Sequence, residues 1–371
     1  MKFALVHEWL TPHATGGSEL VVREILQTLD ADLFAAIDFE SANPESYLYG
    51  RTIGTTFLQH FPRARQGVQK YLPLLPLAIE QLDLRGYDVI LSSSHAVAKG
   101  VLVAPDQTHL CYCHTPMRYA WDLTFEYLQG LRPPARLAAR LLLHWLRQWD
   151  VASSNRIDFI AANSQHTARR IWRCWRREAE VIYPPVSGDR VEFHAQKEEF
   201  YLTVCRLVTY KNVIAIVEAF NQIDRPLVVI GDGPLLPQIR RLAKPHISVL
   251  GWQSDASVRD YLARAKALVY AACEDFGIVM VEALACGTPV LAYGKGGARE
   301  IVTDLRTDPK NGTGLLFEAP TPAAIAAAVQ DFDCVSQQFQ PERAAARAQQ
   351  FSPTVFQHRY SDWLERSLGV R

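Results

Sequence analysis

The chain of 371 residues carries no excess of charge of either sign, with 39 Lys plus Arg against 39 Asp plus Glu. Such a chain lacks the field that draws proteins onto duplex nucleic acid, so nucleic acid is not expected as a partner. Cysteine is sparse: there are seven, and no two stand at C-x-x-C spacing. Cys111 and Cys113 would share one face of a strand, but no second Cys/His pair at zinc spacing accompanies them. A buried pair in a reducing, cytoplasmic setting is the better reading. Long apolar runs are missing as well, because Pro73, Pro76, Arg140 and Glu282 interrupt the best candidates before the ~18 residues that a bilayer span requires. The start, Met1 to Glu8, reaches His7 and Glu8 after too few apolar residues for an export signal, so neither export nor a membrane span is expected. A full G-x-G-x-x-G is absent too, since Gly231-Asp232-Gly233 has no third glycine, which disfavours a nicotinamide oxidoreductase.

What the chain does have is enough apolar residue, 49%, to pack a core. Its length exceeds the ~250 to 300 residues at which a single core stops growing, which predicts two domains. Short apolar runs ending in Gly, Ser, Asn or His alternate with stretches of helical period, the pattern of βα units in a parallel sheet. In the first half this predicts strands at Phe3 to His7, Asp88 to Ser92, His109 to Cys113, Asp158 to Ala162 and Val181 to Tyr183. In the second half the strands are Phe200 to Cys205, Leu227 to Ile230, Ile247 to Leu250, Ala267 to Tyr270, Pro289 to Ala292 and Gly314 to Phe317. The expected architecture is α/β, two doubly wound Rossmann-like domains over residues 1–185 and 199–350, joined where Pro184, Pro185, Ser187 and Gly188 open a polar stretch. A last segment, 351–371, begins at Ser352-Pro353, a helix cap followed by proline, and carries Phe356, Tyr360, Trp363 and Leu364 on one face.

Ligands of open α/β sheets sit beyond the carboxyl ends of the strands, so the residues there are the informative ones. After the first strand, Thr15-Gly16-Gly17-Ser18-Glu19 brings two glycines and a capping serine, either a tight turn or a close approach to an anion. After the third comes His114, with Arg118, Tyr119, Trp121 and Asp122 close behind; it could hold a sugar or phosphate, move a proton, or be a structural histidine. His95 is a second candidate of that kind. In the second half, Arg206 and Lys211 place two cations at a strand end, where both can face one anion and stabilise a departing diphosphate. Glu274 and Glu282 flank Gly277, which opens a helix whose free amides suit phosphate. If helical throughout, eight residues separate these carboxylates by ~12 Å at most along the axis, too far for the ~5 Å of a retaining glycosidase pair but suited to gripping two ends of one extended ligand.

Glu-x7-Glu at Glu274 and Glu282, Gly287-Thr288-Pro289-Val290 and Gly296-Gly297 after it, and Arg206 and Lys211 before it together resemble glycosyltransferase family 4. The likeness runs from Gly16-Gly17 to the last helix. It implies a GT-B fold, two Rossmann-like domains facing a cleft with the C-terminal helix crossing back to the first. It also implies a retaining, metal-independent transfer from a nucleotide-sugar, with no cofactor. On that resemblance Arg206 and Lys211 bind the donor diphosphate, Glu274 the sugar hydroxyls and Glu282 the ribose. Gly277, Ile278 and Val279 contact phosphate and hexose through their amides, Gly16 and Gly17 line the cleft, and His114 meets the transferred sugar or the acceptor. Ala298 and Arg299 depart from the usual pattern beside Glu300. The run Tyr112 to Asp122 is similar to bacterial mannosyltransferases of O-antigen and exopolysaccharide synthesis, which implies GDP-mannose as donor and a lipid-linked glycan as acceptor. A UDP-sugar donor and a catalytically silent sugar-nucleotide-binding module remain alternatives, since Gly251-Trp252, where the base is read, carries no legible code.

From Leu131 to Arg177 ten arginines and no lysine face only Asp150 and Asp158, an excess of eight positive charges. Arg132, Arg136 and Arg140 recur beside Leu137, Leu141, Trp145 and Trp149, as expected at an anionic membrane surface or on a core helix with a solvated edge. The two D-x-D strings, Asp30-Ala31-Asp32 and Asp331-Phe332-Asp333, follow no predicted strand and are expected at helix ends or on the surface, so no metal site is expected.

Overall fold

The computed structural model describes residues 1–11, 16–186 and 192–369; Thr15, Ser187 and Gly188 lie outside the described residues. The chain forms two compact units, Met1–Pro185 together with the chain from Phe356 on, and Val186–Val355.

The sheet of the first unit is entirely parallel and contains β1 (Phe3–His7), β2 (Ala31–Ala35), β3 (Ile53–Thr55), β4 (Val89–Ser94), β5 (Thr108–Cys113), β6 (Phe159–Ala162) and β7 (Glu180–Val181). Their spatial order is β3-β2-β1-β4-β5-β6-β7. The central strands are near-continuous apolar runs because both faces are covered. Ala4, Val6 and Ile90 pack into one core, while Leu5, Leu33 and Leu91 pack into the other. That second core also receives Phe356, Tyr360, Trp363 and Leu364, so the apolar face of the helix Pro353–Gly369 is spent on the first unit's sheet. Tyr112 meets Phe356 with ring centroids 5.8 Å apart and donates its hydroxyl to Ile182 O at 2.7 Å.

β2 and β3 are additions to the predicted strands. β2 reads Ala-Asp-Leu-Phe-Ala with Asp32 exposed, so charge breaks the apolar run, and β3 is three residues long at the sheet edge. Asp30-Ala31-Asp32 lies on the surface as expected, with both aspartates exposed, at the opening of a strand and not at a helix end. Asp331-Phe332-Asp333 lies within the helix Pro322–Val335, where Phe332 is buried and Asp333 accepts from Tyr201 at 2.6 Å and Arg225 at 2.9 Å.

The second unit's sheet, also parallel, contains β8 (Tyr201–Val204), β9 (Leu227–Ile230), β10 (Ile247–Gly251), β11 (Ala267–Tyr270), β12 (Val290–Tyr293) and β13 (Gly314–Phe317), in the order β10-β9-β8-β11-β12-β13. Lys197 ties the entering segment to this unit by donating to Ala263 O, Cys286 O and Thr288 Oγ1 at 2.7 to 2.9 Å. In each sheet the strand order reverses beside the first strand, between β1 and β4 and between β8 and β11, and ligand crevices of doubly wound folds form at such points.

Candidate active site

In the second unit, the turn after β8 and the turn after β11 meet. Lys211 ends a tight turn at Thr209–Lys211, and its ammonium pairs with Glu274 Oε1. Tyr270, the last residue of β11, donates its hydroxyl to the same Glu274 oxygen at 2.7 Å and lies 3.2 Å from Lys211 Nζ. Burial alone would depress Lys211, but Glu274 and Tyr210 outweigh it and hold the ammonium above its usual range. Burial and the Glu274 charge push the Tyr270 phenol far up, so it remains a donor.

Two devices hold this trio. Asn212 adopts a left-handed backbone, φ 54°, and donates Nδ2 to Ala271 O at 3.0 Å, tying the lysine turn to the glutamate turn. Gly296 bridges Glu274, and a Cβ there would lie 2.2 Å from Glu274 O, so only glycine permits the approach. Glu274 therefore stands in an extended bridge, and the helix that follows, Ile278–Ala285, is capped by Gly277 at φ 107°, where the sequence placed its start. Its first amides, at Ile278 and Val279, point out of the helix end beside Glu274. Arg206 is exposed, and among the described residues its guanidinium bonds nothing. Glu282 is half-buried, and among the described residues its carboxylate has no hydrogen-bond partner; burial and the charge of Asp255 raise it above the usual carboxylate range. The main chain of Glu300 accepts from Arg347.

In the first unit the strand ends collect three histidines and two glutamates. His114 is buried, its Nε2 2.8 Å from Ser93 Oγ. His95 lies between His7 and His114, with ring centroids 6.3 and 6.4 Å away. The helix Gly17–Thr28 is capped by Gly16, not by Ser18: Glu19 folds back to accept from the Gly16 amide at 2.9 Å, and Ser18 donates to Glu19 at 2.8 Å. The anion expected at this helix end is thus partly supplied by Glu19 itself. Glu8, which sequence reasoning passed over, is fully buried and accepts from Ser94 Oγ and the amides of His95, Ala96 and Val97 at 2.7 to 2.9 Å. A carboxylate directly after an apolar strand was the available signal. Asp122 pairs with Arg170, placing the cluster after His114 in ionic contact with the helix Gln165–Trp175. Cys111 and Cys113 are buried among Ile157, Ile160 and Trp175, as core residues.

The arginine-rich helix, Pro133–Ser154, buries Leu143, Leu146 and Asp150. Leu137, Leu141 and Trp145 point away from the core, with 60%, 65% and 45% of their surface exposed, while Leu143 and Leu146 on the other face pack into it. Trp149 does not belong to it; its indole donates to Glu80 at 2.9 Å. Among the described residues no helix is long and apolar enough to cross a membrane.

Residues 15–190 match the family described as Glycosyltransferase Family 4, and residues 189–349 match Glycosyl transferases group 1. An uncharacterised glycosyltransferase of Methanocaldococcus jannaschii is 31% identical over 170 residues, 44% of this chain and 46% of that protein. N-acetyl-alpha-D-glucosaminyl L-malate synthase of Bacillus anthracis is 31% identical over 116 residues, 29% of this chain and 30% of that protein. The chain thus spans less than half the length of these curated relatives. Among solved structures, Anabaena HepE in complex with UDP superposes with a TM-score of 0.70 at 19% identity, covering 99% of this chain and 100% of that one. Sucrose-phosphate synthase from Thermosynechococcus elongatus superposes with a TM-score of 0.75 at 17% identity over 100% of both chains. With the two parallel sheets, these likenesses establish the GT-B fold.

Proposed function

On the matches of residues 15–190 to Glycosyltransferase Family 4 and of 189–349 to Glycosyl transferases group 1, we propose that the chain moves a hexose from a nucleotide-sugar donor to a glycan acceptor, retaining configuration and using no metal. The observation that carries this reading is the trio of Lys211, Glu274 and Tyr270 at the β8/β11 crevice; Arg206, in the same turn after β8, is exposed and its guanidinium has no partner among the described residues. The sugar–phosphate bond breaks as the acceptor oxygen bonds to the anomeric carbon, and the acceptor's proton passes to the departing diphosphate on the same face. Lys211 and Arg206 stabilise the charge that develops on that leaving group, and the amides of Ile278 and Val279 add to it. Glu274, steadied by Tyr270, orients the sugar through its hydroxyls. Glu282, whose carboxylate is bound by no protein donor among the described residues, takes the ribose hydroxyls. Gly16 and Gly17 let the backbone lie close to the ligand on the first unit, and His114 contacts the sugar or the acceptor.

The donor is GDP-mannose and the acceptor a lipid-linked glycan of bacterial surface polysaccharide, on the similarity of Tyr112 to Asp122. A UDP-sugar is the second reading, favoured by the HepE structures, which hold UDP, glucose and UDP-glucose. The exposed Leu137-Leu141-Trp145 stripe beside Arg132, Arg136 and Arg140 supports peripheral docking on the anionic inner face of the cytoplasmic membrane. Transfer assays with GDP-mannose and UDP-glucose, with and without EDTA, test the reaction. Lys211→Ala should lower turnover by about 10²-fold or more, as removal of one charge-stabilising donor does. Wild-type turnover in that variant contradicts the leaving-group role. Changing Arg132, Arg136 and Arg140 to Glu should abolish binding to anionic liposomes, and unchanged binding would remove the membrane from the account.

A further inference from the structure

His7 ends β1 fully buried, and its Nδ1 lies 3.2 Å from both the carbonyl oxygen and the hydroxyl of Ser93. A carbonyl oxygen can only accept, so His7 Nδ1 carries a hydrogen, and Ser93 Oγ faces it as an acceptor. The single hydroxyl proton of Ser93 is then free to be donated to His114 Nε2, 2.8 Å away. Burial, with His95 and His7 adding to it, holds the His114 ring well below the ordinary histidine range, so it is neutral and carries one proton. With Nε2 accepting from Ser93, that proton belongs on Nδ1, which among the described residues has no protein partner.

We infer that His7 and Ser93 fix His114 as the Nδ1–H tautomer, so that His114 offers its substrate a hydrogen-bond donor and not a basic lone pair. Sequence alone left both roles open, binding a sugar or phosphate oxygen and moving a proton. The hydrogen-bond order assigns the first: His114 donates to a hydroxyl or phosphate oxygen, and the acceptor's proton goes to the diphosphate. Glu19 holds the outer end of the chain. Its Oε1 lies 3.8 Å from His7 Nε2, an ion-pair distance longer than a hydrogen bond, and its other oxygen is held by the Gly16 amide and Ser18. Ser93 and His7 are positioning residues in this scheme, acting on substrate only through His114. The inference deepens the role given to His114 above and rests on it.

Nitrogen-15 labelling of the histidines in the full chain reads which ring nitrogen is protonated, with the His114 signals identified by their loss in His114→Gln. The wild-type chain should show a protonated Nδ1 and an accepting Nε2 at His114, and Ser93→Ala should shift the proton toward Nε2. A wild-type Nε2–H tautomer overturns the inference. In parallel, Ser93→Ala should lower kcat about tenfold with little change in donor KM, and Ser93→Thr should restore most of it. Unchanged kcat in Ser93→Ala overturns the positioning role. The spectrum is taken without substrate, so failure of the glycosyltransferase reading on turnover would leave the ring result standing, and the reverse also holds.

Discussion

Tyr270 donates its hydroxyl to Glu274 Oε1 at 2.7 Å, the same oxygen that Lys211 pairs with. One phenol therefore braces both the residue assigned to the sugar and the residue assigned to the leaving diphosphate. Removing only the hydroxyl, by Tyr270→Phe, should lower kcat by about tenfold through loss of one charge-assisted bond worth ~1.5 kcal/mol or more. Steady-state kinetics of the two proteins check this, and equal kcat values would make the phenol a packing group.

Glu282 is assigned the ribose, away from the reacting centre. Glu282→Gln keeps the shape but accepts hydroxyls less well, so the donor's KM should rise about tenfold while kcat changes little. An unchanged KM with lost turnover would move Glu282 to the chemistry. Because burial and Asp255 raise its carboxyl above the ordinary range, donor KM in the wild type should also rise as pH falls through that raised value.

Lys99 and Asp150, the latter on the arginine-rich helix, form a fully buried ion pair at 3.0 Å. Trp121 and Trp175 donate to the other Asp150 oxygen at 2.8 and 2.7 Å, so the carboxylate anchors two helices and a loop. Lys99→Met leaves that charge uncompensated and should cost about 3–5 kcal/mol in denaturant unfolding. A loss below about 1 kcal/mol would mean that the two indoles suffice.

Acid should loosen the first unit through Glu19. Burial would raise its carboxyl, but His7 and Ser18 outweigh burial and bring it from the ordinary value down to about 2. A depressed acid stabilises above its unfolded pKa and loses that contribution as pH falls toward the folded one. The window is about pH 4.5 down to about 2, and its full size is about 3 kcal/mol from ~1.4 kcal/mol per unit. Unfolding midpoints measured across that range should fall less steeply in Glu19→Gln than in the wild type; identical slopes would dismiss the contact.

Most of the fold was legible because buried parallel strands are apolar runs that stand out from helical periods: β9, β11 and β13 fall where the runs predict. β2 escaped because Asp32 breaks its run, and β3 because an edge strand of three residues carries no period. The placements of Gly277, Glu274 and Lys211 were readable as strand-end residues. Tyr270 looked like one more apolar strand residue, and Ser93 and His7 like strand ends; their importance lies in partners 4, 21 and 86 residues away in sequence. Ser18 was misread because a serine after Gly-Gly satisfies the capping pattern, whereas Glu19 reaches back and takes the amide.

The most direct test of the central claim is calorimetric titration of the full chain, in EDTA, with GDP, UDP, GDP-mannose, UDP-glucose and NAD. The account predicts metal-free binding of one nucleoside diphosphate and its sugar, weakened in Lys211→Ala, and no binding of NAD. Binding only when a divalent cation is restored, or binding unaffected by loss of Lys211, would contradict it.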